Sequence, residues 1–233
     1  MTVSPTVSVI IPAYNAGRYV VECLESVLTQ TRLPTEVIVI NDGSTDDTLE
    51  WLLPFADRVW LHSRENRGVC QTLNEAIGYA SGNLIAFIDA DDRWEPHKLA
   101  RQLEYMAQNP ALDACFSYIK QFVSPDLPAP VRASIACPAE AQPGWSKITL
   151  LIRRDAFART GLFDPAYHTG DFIEWFTRAK HVGLCYAMLP DVLAHRRLHR
   201  NGLASQTQHQ HEFAQILKAH LERQKTKAPQ QEP

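Results

Sequence analysis

The chain lacks the features that would place it across a membrane, in a disulfide framework or on a nucleic acid. No apolar run approaches the ~20 residues that a membrane-spanning helix needs. Val7 to Ile11, behind Met1-Thr2-Val3-Ser4-Pro5, is too short for a signal core and has no basic leader, so secretion is not expected. Five cysteines (Cys23, Cys70, Cys115, Cys137, Cys185) form an odd set without a C-x-x-C pair, which argues against disulfide staples and zinc knuckles alike. A reducing, cytoplasmic setting fits best. Concentrated positive charge is lacking too: 23 Lys and Arg stand against 26 Asp and Glu for a formal net charge of -3, and basic residues are scattered apart from Arg196-Arg197-Leu198-His199-Arg200. That pattern offers no footprint for DNA or RNA. Contact with a lipid substrate would be peripheral, with no integral membrane segment.

What is present is ordinary globular material. The 233 residues are 45% apolar and 21% charged, enough to bury a real core in one large domain or two small ones. From Val7 to about Asn109, short apolar runs alternate with amphipathic segments, as βαβ units on a mostly parallel sheet require. Val7–Ile11, Glu36–Ile40, Val59–His62 and Leu84–Ile88 are the strand candidates. Val20, Cys23, Leu24, Val27 and Leu28 recur at helical spacing between the first two, and Leu73, Ile77 and Ala80 do so in the third crossover.

After Asn109 the rhythm breaks. Pro125, Pro128, Pro130, Pro138 and Pro143 fall in one stretch, expected to be an irregular connection with limited strand content. Ile148–Ile152 then reads as a strand, Asp155–Thr160 as a short helix stopped by Gly161, and Asp171–His181 as a second helix. His209–Gln224 can form a last helix, and the polar run Lys225–Pro233 reads as disordered. The expected division is 1–109, 110–205 and 206–233.

The most informative junction is the run Leu84–Ile88 ending on Asp89-Ala90-Asp91-Asp92. Carboxylates that close repel one another unless something positive sits among them, and a hard cation held by oxygens is the usual solution. The plain alternative is a solvated loop capping the next helix, with Pro96 in its first turn. In open α/β sheets ligands lie beyond the carboxyl ends of the strands. Those ends carry Pro12-Ala13-Tyr14-Asn15, Asn41-Asp42-Gly43-Ser44 and the carboxylate cluster. Tyr14 offers a stacking face and Asp42 an acceptor for a base or ribose donor. Each also reads as a routine turn.

Together these residues resemble the family 2 glycosyltransferases. Val7–Asn15, Glu36–Asp46, Asn66-Arg67-Gly68 with Asn74, and Phe87–Asp92 look like that family's successive signatures, in order and spacing. The likeness is strong over the first hundred residues and continues more loosely from Ile148 to about Ser205. It implies a GT-A type fold: a Rossmann-like, mostly parallel central sheet with helices on both faces and a smaller acceptor-binding half. It further implies a metal-dependent, inverting transfer of one sugar from a UDP, GDP or TDP sugar to a glycan, lipid-linked, peptide or small-molecule acceptor.

By that resemblance Pro12, Ala13, Tyr14, Asn15 and Asp42 would hold the nucleoside. Asp89 and Ala90 would meet the ribose or sugar, and Asp91, within a DXD motif, would ligate Mg²⁺ or Mn²⁺ on the two phosphates. Arg67 and Asn74 align with a donor-side segment, although Asn74 also reads as a helix residue satisfying nearby backbone. Gly170-Asp171-Phe172-Ile173-Glu174-Trp175 resembles the segment in which a Glu-Asp pair precedes an aromatic helix, so Asp171 falls on the catalytic base. Gly170 stands where the pair's glutamate would, and Glu174, three residues on, is the substitute candidate. The plain reading of Asp171 is a carboxylate favoured by the helix dipole. Arg197-Leu198-His199-Arg200-Asn201 resembles a late Arg-x-His element, with His199 as nitrogen ligand to the metal and Arg197 steadying phosphate. A histidine in a basic surface loop is the alternative. His209 and His211 would lie on different sides of a helix and make an improbable metal pair. Trp145 and Trp175 read as core or as walls of an acceptor pocket. Two rival classes remain. A sugar nucleotidyltransferase would need a glycine-rich, charged loop after the first strand, which Pro12–Asn15 is not. A nucleotide-sugar-binding module without turnover is the reading that Gly170 motivates.

Overall fold

The computed structural model describes residues 5–199 and 210–227. The parallel core is built from β1 (Val7–Ala13), β2 (Glu36–Asp42), β3 (Trp60–Arg64) and β4 (Leu84–Phe87), separated by α1 (Tyr19–Leu28), α2 (Thr48–Leu52) and α3 (Val69–Tyr79). Then come β5 (Arg93–Trp94), α4 (Lys98–Gln108), β6 (Ala114–Val123), α5 (Ala129–Ser134), β7 (Gln142–Pro143) and β8 (Leu151–Arg153). The described chain closes with α6 (Ala156–Thr160), α7 (Asp171–His181), β9 (Tyr186–Leu198) and α8 (Gln210–Lys227).

One sheet runs through both halves in the order β3-β2-β1-β4-β8-β6-β9-β5, with β7 on β6. The pairings β1 to β2, β1 to β4, β2 to β3 and β6 to β9 are parallel, and β8 enters antiparallel between β4 and β6. Strand alternation sorts the core into two layers. Val9 and Ile11 of β1 face the side covered by α1 and α4, where Val20, Leu24, Leu99 and Met106 are buried. Ile10 and Ile38 face the other side, where Leu73 of α3 and Phe172, Trp175 and Phe176 of α7 close the core. Trp175 is wholly buried and donates its indole N–H to Gly161 O at 3.0 Å, so of its two sequence readings, core and pocket wall, it takes the core one.

Several sequence expectations need correction. Ala114–Val123, ahead of the proline stretch, forms the unexpected ten-residue strand β6, whose long partner is β9, whereas Pro125 to Pro143 holds only the short α5 and the two-residue β7. The basic run Arg196-Arg197-Leu198 belongs to β9 rather than to a surface loop. Two residues of β9, Pro190 and Asp191, are left out of the register between Leu189 opposite Ser117 and Val192 opposite Tyr118. That bulge takes up Pro190, which has no N–H to give to a ladder. The strand expected at Ile148–Ile152 is a 3₁₀ turn at Lys147–Thr149 followed by β8. The helix after Asp92 begins only at Lys98, past Pro96. The last helix continues to Lys227, so Lys225 to Lys227 are helical, while His209, Arg200, Asn201 and 228–233 lie outside the described residues.

Candidate active site

Three strand ends and one helix start meet at the carboxyl edge of the sheet. At β2, Asp42 is buried, pairs with Arg64 and accepts the backbone N–H groups of Arg67 and Gly68, each at 2.9 Å. Its carboxylate therefore shapes the Asn66–Gly68 loop. Gly43, at φ +72°, lets that loop come close: a Cβ there would stand 2.5 Å from the Asn66 nitrogen. Asn15 ties the first loop to the second, accepting Thr45 N–H at 2.8 Å while its own N–H donates to Ser44 Oγ at 3.0 Å. Tyr14 beside it is 53% exposed, so a ring face is available for a flat base. Pro12 is half-buried, Ala13 is buried and the Arg67 side chain is exposed. Asn74 is spent on backbone: its carboxamide clasps Phe163 through both N–H and C=O, at 3.0 and 2.8 Å.

The carboxylates after β4 divide their work. Asp91 Oδ2 lies 2.7 Å from His199 Nε2. Asp92 is buried and accepts the Arg197 backbone N–H at 2.7 Å, so it fastens β9 to the cluster rather than starting a helix. Arg197 is also buried. Its guanidinium donates to Asp91 O at 2.8 Å and Ser124 Oγ at 3.1 Å, pairs with Glu22, and lies against the rings of Tyr19 and Phe122. The structure thus makes Arg197 the buttress behind Asp91. Asp89 makes no side-chain hydrogen bond among the described residues. Burial pushes its carboxyl above the ordinary range, with Asp91 adding to the rise and Lys147 and Arg196 pulling against it.

Asp171 opens α7, is buried, and forms an ion pair with Lys147, which the sequence reading missed. Burial pulls the Lys147 ammonium down, but Asp171 and Asp89 outweigh it, and its pKa stands above the ordinary value. Lys147 is therefore bound to the helix carboxylate and stabilised as a cation by the strand carboxylate as well. Arg196, anchored to Ser146 Oγ at 2.6 Å, is a second cation near Asp89 that the sequence reading left unassigned. No motif marks either residue, since a lysine in a 3₁₀ turn and an arginine in a strand serve many other ends.

Glu174 stands apart from this cluster. It is buried against Arg178 at 3.0 Å and Arg223 of α8 at 2.9 Å. The second carboxylate at the start of α7 is instead Glu212 of α8, which accepts the backbone N–H groups of His168, Thr169 and Gly170 at 2.9 to 3.1 Å. A Cβ at Gly170 would lie 2.5 Å from Ile216 Cδ1, the movable end of a side chain, and 3.4 Å from Glu212 Oε2. Among the described residues no three His, Cys, Asp or Glu side chains converge as a ready-made metal site. Asp91 and His199 offer one oxygen and one nitrogen donor side by side. That suits a small divalent cation, which commonly takes one or two protein ligands and completes its shell with substrate phosphates and water.

A conserved-family model described as glycosyl transferase family 2 matches residues 8–168. An uncharacterized glycosyltransferase of Haemophilus influenzae is 31% identical over 92% of this chain and 72% of its own length, and one of Rickettsia typhi is 32% identical over 75% and 59%. The chain belongs to glycosyl transferase family 2, and its class is that of a glycosyltransferase. Solved structures agree on the fold. Staphylococcus aureus TarS 1-349 in complex with UDP-GlcNAc superposes with a TM-score of 0.74 at 18% identity, over 94% of this chain and 66% of that one. The mannosyltransferase PcManGT of Pyrobaculum calidifontis, in complex with GDP-Man and Mn²⁺, gives 0.65 at 23%, over 98% and 66%. The fold is GT-A. The chain spans about two thirds of those proteins, and no helix among the described residues is long and apolar enough to cross a membrane.

Proposed function

We propose that the chain transfers one sugar from a nucleoside-diphosphate sugar to an acceptor hydroxyl with inversion at the anomeric carbon, with Asp171 as the base. The observation that carries this reading is the Lys147 and Asp171 ion pair set beside Asp89, with Asp91 and His199 adjacent. The acceptor oxygen forms a bond to the anomeric carbon as the bond from that carbon to the diphosphate oxygen breaks. Asp171 takes the acceptor's proton, and the nucleoside diphosphate leaves with the bonding pair. Tyr14 and the Asp42 loop hold the nucleoside, and Asp89 meets the ribose or sugar. Asp91 and His199 would hold Mg²⁺ or Mn²⁺, which when bound supplies Lewis-acid stabilisation of the departing phosphate. Lys147 fixes the Asp171 carboxylate in place. The ligands named for the two structural relatives, UDP-GlcNAc and GDP-Man, support a nucleotide-sugar donor.

Gly170, standing where the glutamate of the pair would, favours a second reading, a binding module without turnover. Release of free nucleoside diphosphate from a panel of UDP, GDP and TDP sugars, for wild type and Asp171→Asn, separates the two. The expected result is turnover by wild type that falls by about 10²-fold or more in the variant. Equal turnover by both proteins removes Asp171 as base.

A further inference from the structure

Of the cations around the carboxylates that follow β4, Lys147 pairs with Asp171, and Arg197 pairs with Glu22 while donating to Asp91 O and Ser124 Oγ. Both are spent. Arg196 is half-buried and is held by a neutral contact, its Nη2 donating to Ser146 Oγ at 2.6 Å, and it makes no ion pair with a described residue.

The backbone nevertheless sets Arg196 at the heart of the cluster. β5 pairs antiparallel with β9, Arg93 opposite His195, so the next step along that ladder brings Asp92 level with Arg196. The bonds of the following residue confirm the register, with Arg197 N–H donating to Asp92 Oδ1 at 2.7 Å and its guanidinium to Asp91 O at 2.8 Å. Successive strand residues point to opposite faces, and Arg197 turns to Tyr19 and Glu22 while Arg196 turns to Ser146, the neighbour of Lys147. Arg196 therefore reaches the element that holds the proposed base.

A guanidinium placed only to neutralise Asp89 or Asp92 would gain most by hydrogen-bonding one of them, since charge-assisted bonds are the strong ones. It bonds neither. Its charge is still felt by both, because it draws each carboxyl back toward the ionised form against the rise that burial causes. Asp89 likewise has no side-chain hydrogen bond among the described residues. A donor fork and an acceptor carboxylate are thus both left open at one strand edge, and a planar fork is the shape that phosphate oxygens fit.

We propose that Arg196 is a further catalytic residue, a fixed cation that hydrogen-bonds the donor's diphosphate and takes up the charge developing on it as the sugar leaves. The proposal rests on the transferase reading above and adds a protein group to the stabilisation assigned there to the cation. When the bond from the anomeric carbon to the phosphate oxygen breaks, its electron pair passes to that oxygen, and preorganised donors aimed there lower the barrier.

Calorimetric titration of the intact chain with uridine, UDP, guanosine and GDP, in EDTA, reads the contact without turnover. Wild type should prefer the diphosphate to its own nucleoside by about tenfold or more. Arg196→Gln should lose that preference and keep nucleoside affinity, and Arg196→Lys should keep part of it. With a turned-over donor sugar, Arg196→Gln should lower kcat by about 10²- to 10³-fold, and millimolar guanidinium should restore part of the activity of Arg196→Ala, which repair of a merely structural defect would not do. Circular dichroism checks folding, and if Arg196→Gln does not fold, Arg196→Lys carries the test. No preference in wild type, an equal preference in Arg196→Gln, or loss of nucleoside and diphosphate binding together overturns the proposal. Wild-type turnover keeps the two failures apart. Turnover beside an Arg196→Gln variant that binds diphosphate like wild type overturns the Arg196 assignment alone, whereas an Arg196-dependent preference without any turnover overturns the transferase reading and retains the diphosphate contact.

Discussion

Lys147 and Asp171 are each more than nine-tenths buried or close to it, so neither is well placed without the other. Removing one partner of a buried pair typically costs about 3–5 kcal/mol, because the remaining charge is left without compensation. Lys147→Met should therefore lower the melting temperature and also lower kcat, by about tenfold or more, with a much smaller change in donor KM. Lys147→Arg should recover part of kcat. A rise in KM with kcat intact would assign Lys147 to donor binding instead. A second buried lysine gives a stability prediction away from the site. Lys98 donates to Gln102 Oε1 at 2.6 Å and lies 4.0 Å from the centre of a Trp94 ring, and burial pulls its pKa down to about 7. Below that value the folded state carries the full cost of a buried ammonium. Between about 7 and the ordinary lysine value the unfolded chain holds the extra proton, so this contribution improves as pH rises. Lys98→Met removes it, and the stability of the variant relative to wild type should fall by roughly 2–4 kcal/mol between pH 6.5 and 9.5 in urea melts. A difference independent of pH would show the ammonium charged on the Trp94 face throughout. At this scale the sequence is uneven in what it discloses. Asp89, Asp91 and Asp171 are readable because chain-local motifs set them at a strand end and a helix start. Lys147, Arg196 and Glu212 are not, because only the fold brings the two cations near those carboxylates and Glu212 to the start of α7.

Among elements, β9 and α8 carry most of what the sequence conceals. The β1 to β4 crossovers repeat a simple rhythm of apolar runs and amphipathic helices, and the structure returns them within a residue or two. In β9, only pairing with β6 shows Pro190 and Asp191 to be a bulge that lets the strand continue to Leu198. That continuation delivers Arg197 behind Asp91 and His199 beside it. In α8, Glu212 supplies acceptors for three successive backbone N–H groups at the start of α7, where no side chain of the local sequence does so. Unmet donors of this kind cost about 1–3 kcal/mol each when buried. Glu212→Ala should therefore speed hydrogen exchange across residues 168–171 and lower kcat through a looser Asp171. Glu212→Gln, which keeps an acceptor oxygen, should lie between. Exchange unchanged from wild type would mean that α7 holds its own start and α8 is only a neighbour.

For the molecule as a whole, the continuous sheet gives donor and acceptor chemistry a common frame while leaving them on different elements. Asp91 follows β4 and His199 follows β9, whereas Asp171 belongs to α7 and is fastened through Lys147. Binding of a nucleoside diphosphate with a cation should then depend on the first pair and be nearly indifferent to the second. Any ligand that binds only the folded state stabilises it by RT ln(1 + [L]/Kd), about 2.7 kcal/mol at a hundredfold excess over Kd. Thermal melts with UDP or GDP, each with and without Mn²⁺, should show a larger shift for nucleotide and metal together than for the sum of the two alone. Asp91→Ala should abolish that excess, since it removes the oxygen donor assigned to the cation. Asp171→Asn should retain it, because its carboxylate is assigned to the acceptor's proton rather than to the diphosphate. An unchanged excess in Asp91→Ala would return the carboxylate cluster to a structural role. Loss of the excess in both variants would mean that the charge of Lys147, felt by both Asp171 and Asp89, couples the two sites, so that the base cannot be altered without disturbing the donor.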